Sequence, residues 1–300
     1  MNKIKPWISA IRLRTLPLAI SCILIGGGIA FKKSTFDWTV LILTVITTVL
    51  LQILSNLAND LGDGLKGTDN ENRIGPTRAI QSGEITINAM KVAVIICTIF
   101  TLISGLTLLF VALDPGWKLF TLLGIGVLAI AASIKYTLGK NAFGYHGFGD
   151  LFVFVFFGLV GVLGTIYLQS KTIAWLDVIP AAAVGMLCAG VLNLNNMRDY
   201  KNDAASNKRT LVVTLGLSAA KTYHLILTVF PIILLALYLI KLQSGYVVLI
   251  LLIPFILVLT AIKRVYKVTQ EKDLDPELKK LALTTFITAL IFAFSLVVPV

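Results

Sequence analysis

Residues 39–59 read TVLILTVITTVLLQILSNLAN, a run without a single charged side chain. A helix of that length, at ~1.5 Å per residue, covers a hydrocarbon core ~30 Å thick. Helix is forced on such a run, because in lipid every backbone N–H and C=O must be satisfied within the segment. An outer-membrane strand would alternate apolar and polar residues, and this run does not. Similar runs recur at about 16–31, 88–112, 117–137, 148–169, 174–196, 218–240, 245–261 and 278–299, which makes about nine spans. Pro17, Pro180, Pro231 and Pro254 fall inside these spans, where neighbouring helices satisfy the freed carbonyls. No polar stretch is long enough for a soluble domain. Residues 1–300 are therefore expected to form one polytopic, all-α integral membrane domain.

Composition agrees. The chain is 57% hydrophobic and only 14% charged, with a mean hydropathy of +0.90, whereas soluble domains carry roughly 25% charged residues. Lys and Arg outnumber Asp and Glu by 26 to 15. In a membrane chain this excess marks the cytoplasmic loops rather than a nucleic-acid partner. Only Lys32, Lys33, Lys118, Lys171 and Lys241 fall on the opposite side, together with the acids Asp37, Asp114 and Asp177. The N-terminus and the loops near 60–87, 138–147, 197–217 and 262–277 are thus expected to be cytoplasmic, in a bacterial-type inner membrane. Cys22, Cys97 and Cys188 stand singly in apolar surroundings and read as small buried hydrophobes. With only His146 and His224 beside them, a His/Cys metal site is not expected. The first residues carry no cleavable signal peptide pattern.

Two of the cytoplasmic loops hold rows of carboxylates. Asn56 and Asp60 stand four apart, with Asp63 three further on; Asn195 and Asp199 stand four apart, with Asp203 four further on. Such spacings set side chains on one helix face. The same offset separates Asn56 from Asn195 and Asp60 from Asp199, as in a weak internal duplication. Four carboxylates in one cavity repel unless a cation lies between them. Hard oxygen ligands without His or Cys suit Mg²⁺, which bridges protein carboxylates to substrate phosphates. The same loops carry Lys66, Arg73, Arg78, Arg198, Lys201, Lys208 and Arg209, so the donor set is that of a diphosphate site. A third segment has Tyr136 and Lys140 four apart at a helix end, able to bind diphosphate oxygens or steady a cation. Asp150 opens the next span and reads as a helix cap.

The passages NLANDLGDGLKGTDNENRIGP, YTLGK, GYHGFGDLFVFVFFG, LNLNNMRDYKNDAASNKRTLVVTLG and the short RLRTLP at Arg12–Pro17 resemble the UbiA superfamily of intramembrane aromatic prenyltransferases over nearly the whole chain. They are most similar to the menaquinone-pathway branch. The resemblance implies a helical bundle around a central cavity opening to the cytoplasm. It implies Mg²⁺-dependent transfer from a polyprenyl diphosphate to 1,4-dihydroxy-2-naphthoate, with loss of CO₂ and diphosphate, giving demethylmenaquinol. Asp60, Asp63, Asp199 and Asp203 would hold the metal. Asn56, Asn195, Arg78, Lys140 and Lys208 would hold the diphosphate, and Tyr136 and Lys140, with Asp60 and Asp199, would be catalytic. Where many members carry a further aspartate, this chain has Gly67, and the next acid is Asp69. The tail would lie in membrane lipid, and no obligatory protein partner is implied. Two other readings stay open: a relative that prenylates 4-hydroxybenzoate or homogentisate, and a secondary transporter.

Overall fold

The computed structural model describes residues 4–242 and 245–297, and among these every regular element is helical. Among the described residues, nine helices are long and apolar enough to cross a membrane. A short helix α1 (Ile4–Ile11) leads through a 3₁₀ turn into α2 (Leu16–Lys32). The spans continue as α3 (Trp38–Leu65), α4 (Ile87–Ala112), α5 (Trp117–Lys135), α6 (Gly149–Ser170) and α7 (Val178–Arg198). Two short helices, α8 (Tyr200–Ala205) and α9 (Leu211–Leu215), precede α10 (Leu217–Lys241). A 3₁₀ stretch at Gly245–Leu251 opens α11 (Leu252–Lys267), and another at Glu271–Leu274 opens α12 (Asp275–Val297).

Helix starts follow local chemistry. Asp37 caps α3 by accepting from the backbone N–H groups of Thr39 (2.7 Å) and Val40 (3.2 Å), and Thr86 and Thr210 cap α4 and α9 in the same way. Pro17, Pro180 and Pro254 sit in first turns, where no N–H is needed; only Pro231 lies inside a helix.

Several boundaries differ from the sequence expectation, each for a readable reason. Helix α3 does not stop at 59. Its polar residues Asp60 and Asp63 stay helical to Leu65, because the 28-residue helix is longer than the hydrocarbon and its last turns stand in a polar cavity. The row Asn195–Asp199–Asp203 is not one continuous helix face: Asp199 (φ −93°, ψ 8°) breaks the chain between α7 and α8. Tyr136 and Lys140 do not share a face either, since the helix ends at Tyr136 and Gly139 turns with φ 91°. Asp150 is not the cap of α6; that position is Phe148. The last span begins before 278, and residues 298 and 299 of the expected run lie outside the described residues.

Helix α7 is the most buried span and packs on α2, α6, α10 and α12; α5 is the least buried and rests on α3 and α4. Close crossings depend on missing side chains. A β-carbon on Gly158 of α6 would stand 2.6 Å from the Ala181 carbonyl, and one on Gly185 of α7 would stand 2.7 Å from the Phe154 carbonyl. The middle of α6, Phe154–Leu163, is wound as a π-helix.

Candidate active site

The C-terminal ends of α3 and α7, with the loops after α3, α5 and α8, enclose a polar cavity of about 170 Å³. Asn56, Asp63, Asp69, Asn195, Asp199, Asp203, Arg78, Lys208 and Tyr136 line it. Lys208 donates to Asp63 at 3.3 Å and lies 3.9 Å from Asp203, so one ammonium ties the first carboxylate row to the second. Tyr145 also donates to Asp63, at 2.7 Å. Asp199 is held by Arg198 at 2.7 Å and faces Arg73 at 3.6 Å. Asp60 lies just behind the wall, paired with the guanidinium of Arg12 and 3.5 Å from Arg78. Asn56 donates to the Ile11 carbonyl at 2.8 Å, and Asn195 accepts from Arg198 at 2.9 Å. Both asparagines thus brace the arginine supports.

Arg12 reaches this site through a strained backbone. Its φ of 56° and ψ of 62° are left-handed, a conformation that costs a non-glycine residue about 1 kcal/mol or more. The break between α1 and α2 is what aims the guanidinium at Asp60. Over the other side, Gly75 lies directly on the guanidinia of Arg198 and Arg73, with no room for a β-carbon.

Burial and neighbours set the protonation of the groups beyond the spans. Burial, opposed by Lys208 but reinforced by Asp199 and Asp63, lifts the Asp203 carboxyl to about 7. Burial would lift Asp199 as well, but its bond to Arg198 holds it below the ordinary carboxylate range. Burial and the nearby Arg12 bring Arg78 down to about 9. Lys208 moves upward despite its burial, because Asp63 and Asp203 face it. Burial drives the Tyr136 phenol up, which keeps it neutral.

Beside the polar cavity lies an apolar one of about 250 Å³, walled by α2 through α6. Gln52, Ser55, Tyr136, Val153 and Phe157 line both. A charged compartment and a greasy one therefore meet at Tyr136.

The model of the UbiA prenyltransferase family matches residues 19–286. The chain belongs to the UbiA prenyltransferase family. Its sequence is 44% identical to the 1,4-dihydroxy-2-naphthoate octaprenyltransferase of Escherichia coli, over 79% of this chain and 77% of that one. The protein of the same name from Haemophilus influenzae is 44% identical over 75% and 74%, and that from Mycobacterium tuberculosis 39% identical over 72% of each. Its fold is similar to that of a UbiA homologue from Aeropyrum pernix in its apo form (TM-score 0.69, 15% identity, 95% of this chain and 97% of that one). It is also similar to one from Archaeoglobus fulgidus bound to DMAPP and Mg²⁺ (TM-score 0.65, 14% identity, 95% and 98%).

Within this UbiA prenyltransferase, the structure gathers every candidate except one. Lys140 is exposed and lines neither cavity. Arg12, Asp69 and Tyr145 have no assigned role in the sequence expectation, and Arg73 enters it only among the basic residues of its loop, yet all four belong to the constellation: Arg73 pairs with Asp69 at 3.0 Å, and Tyr145 donates to Asp63. The RLRTLP passage pointed towards Arg12; nothing in the spacing singled out Tyr145, which arrives from a glycine-rich loop. Among the described residues no three acidic, His or Cys groups converge closely enough to hold an ion as they stand. The donor set nonetheless fits a divalent cation. Asp60 Oδ2 is buried without a partner, and the position between Asp63 and Asp203 is filled by the cationic head of Lys208.

Proposed function

We propose that this enzyme transfers a polyprenyl group from a polyprenyl diphosphate to 1,4-dihydroxy-2-naphthoate, releasing diphosphate and CO₂ to give demethylmenaquinol. The observation that carries this reading is the junction at Tyr136, where a cavity lined by carboxylates, arginines and Lys208 opens into an apolar one. A polyprenyl diphosphate has those two halves. The names of the relatives at 38–44% identity supply the acceptor.

In this reading Asp60, Asp63, Asp199 and Asp203 would hold Mg²⁺, which would draw charge from the breaking C–O bond onto the diphosphate. Arg78 and Lys208 turn from their carboxylates to the diphosphate oxygens. Asn56 and Asn195 keep Arg12, through the Ile11 carbonyl, and Arg198 in place. Tyr136, neutral and at the junction, presents its ring to the allylic cation. The apolar walls keep out water that would capture that cation. Lys140, exposed on the loop after α5, would meet the diphosphate only at the mouth of the site. The excess of basic residues on the loops of this side supports a site at the cytoplasmic face, in the inner membrane of a bacterial-type cell.

Mass spectrometry of products from octaprenyl diphosphate and each aromatic acceptor tests the assignment. Demethylmenaquinol is expected; transfer to 4-hydroxybenzoate with none to dihydroxynaphthoate would overturn it.

A further inference from the structure

Asp150, the second residue of α6, is the one acid among the described residues with both carboxyl oxygens buried and neither hydrogen-bonded. It is 4% exposed, and no Lys or Arg acts on its charge. Asp60, Asp63, Asp69, Asp199 and Asp203, by contrast, each face a cation. A carboxylate held by a cation is a weak proton acceptor; one left without a partner is free to be one. The fold sets this carboxyl behind Tyr136. A β-carbon on Gly149, the residue before it, would stand 2.9 Å from the Tyr136 hydroxyl and 3.3 Å from Leu192 of α7. Asp150 is close enough for its charge to act on the Tyr136 phenol, and on that of Tyr223 in α10 as well. One and two turns further along α6, Val153 and Phe157 line both cavities. Asp150 itself lines neither, so anything it does to a substrate passes through Tyr136.

We infer that Asp150, acting through the Tyr136 hydroxyl, takes up the proton of the acceptor's hydroxyl group and later returns it. The inference rests on the prenyl-transfer reading, which brings the acceptor ring to the junction at Tyr136. Nothing else bonds the Asp150 oxygens, so a turn of the side chain towards the phenol breaks no bond. As the ring carbon that bears the carboxylate bonds the allylic carbon, the neighbouring hydroxyl gives its proton to the Tyr136 oxygen. The Tyr136 proton passes in the same motion to Asp150, and no phenolate forms. The ring is left as a β-keto carboxylate. Loss of CO₂ leaves its bonding pair on the ring as a naphtholate, which takes a proton back by the reverse transfer. Asp150 is then ionised again, and no proton is gained or lost over the cycle.

Asp150→Asn keeps the shape and removes the base. At pH 7 its turnover of dihydroxynaphthoate should fall roughly a hundredfold or more, the usual worth of general-base assistance. Binding of geranyl diphosphate with Mg²⁺, read by calorimetry, should not change. The unfolding midpoint should not fall, because an unpaired buried acid gives way to its neutral isostere. The deficit should shrink as pH rises towards ~10, where a phenolic hydroxyl ionises unaided; a packing defect would not respond in this way. Asp150→Glu should retain part of the turnover at pH 7. Tyr136→Phe, which leaves the ring in place, should show the same narrowing deficit, and the double variant should be no slower than the slower single one. An Asn variant as fast as the unaltered protein, or equally slow at every pH, would overturn the relay. Should Asp150→Asn fail to fold, the Tyr136→Phe profile decides alone, and a deficit constant with pH overturns the relay. Failure of the acceptor assignment looks different: the unaltered protein is then inactive with dihydroxynaphthoate. In that case the same pH comparison is made with 4-hydroxybenzoate, whose hydroxyl poses the same demand.

Discussion

At the scale of single residues, the site is a set of exchangeable ion pairs. Asp60, at 1% exposure, faces the guanidinia of Arg12 and Arg78. Removing one member of a buried pair typically costs about 3–5 kcal/mol, because the other charge is left without a partner. Asp60→Ala should therefore abolish transfer and also lower the unfolding midpoint in detergent. Adding Arg12→Ala should recover part of the midpoint and none of the activity. Full recovery of activity would show that Asp60 only neutralises Arg12. Asp203 has the opposite character. Its carboxyl, lifted to about 7, is largely protonated below that pH, and a metal needs it ionised. Mg²⁺ affinity should thus rise with pH through about 7, with a proton released on binding. Calorimetry in buffers of different ionisation enthalpy reads that proton, and Asp203→Asn should flatten the dependence.

At the scale of elements, the helices were legible and their breaks were not. Apolar runs such as 39–59 must be helical in lipid whatever they pack against, so the spans could be read directly. The extension of α3 to Leu65 depends on a polar cavity built by other segments, and so does the turn at Asp199. The left-handed Arg12 is stranger still, because only its pairing with Asp60, 48 residues away, makes sense of it. For the same reason Arg78 and Lys208 could be expected from their loops, whereas Tyr145 could not. The π-wound α6 depends on glycine at its crossing with α7. Gly158→Ala should destabilise the protein by ~1–3 kcal/mol, since its β-carbon would stand 2.6 Å from the Ala181 carbonyl. Gly124→Ala, with open space around it, should be neutral or slightly stabilising, as alanine is the better helix former. Reversible unfolding in mixed micelles compares the two.

At the scale of the whole molecule, the distribution of charge predicts an orientation that can be tested. The three native cysteines are buried, so an introduced thiol reports its own side. Lys32→Cys, exposed at the end of α2 away from the polar cavity, should react with a membrane-impermeant maleimide in right-side-out spheroplasts. Lys272→Cys, exposed beside α12, should react only after permeabilisation. The reverse pattern would invert the topology and move the site to the outer face. The same view explains why the transporter reading fades: both carboxylate rows sit at one end of the bundle, in a cavity that leads into an apolar pocket.

Asp60, Asp63, Asp69, Asp199 and Asp203 are matched in the polar cavity and its wall by Arg12, Arg73, Arg78, Arg198 and Lys208. With Asp203 ionised these charges cancel, and Arg14 on the same wall is answered by Asp275 at 3.6 Å. A bare diphosphate would bring uncompensated anion into a medium of low polarisability, and a bare cation would have to displace a guanidinium with nowhere to send it. Arriving as one, the two would exchange these pairs together and offer each freed partner a new one. Donor and ion should therefore associate as a single species, and a diphosphate mimic stripped of its ion should be a poor inhibitor however well its tail fits.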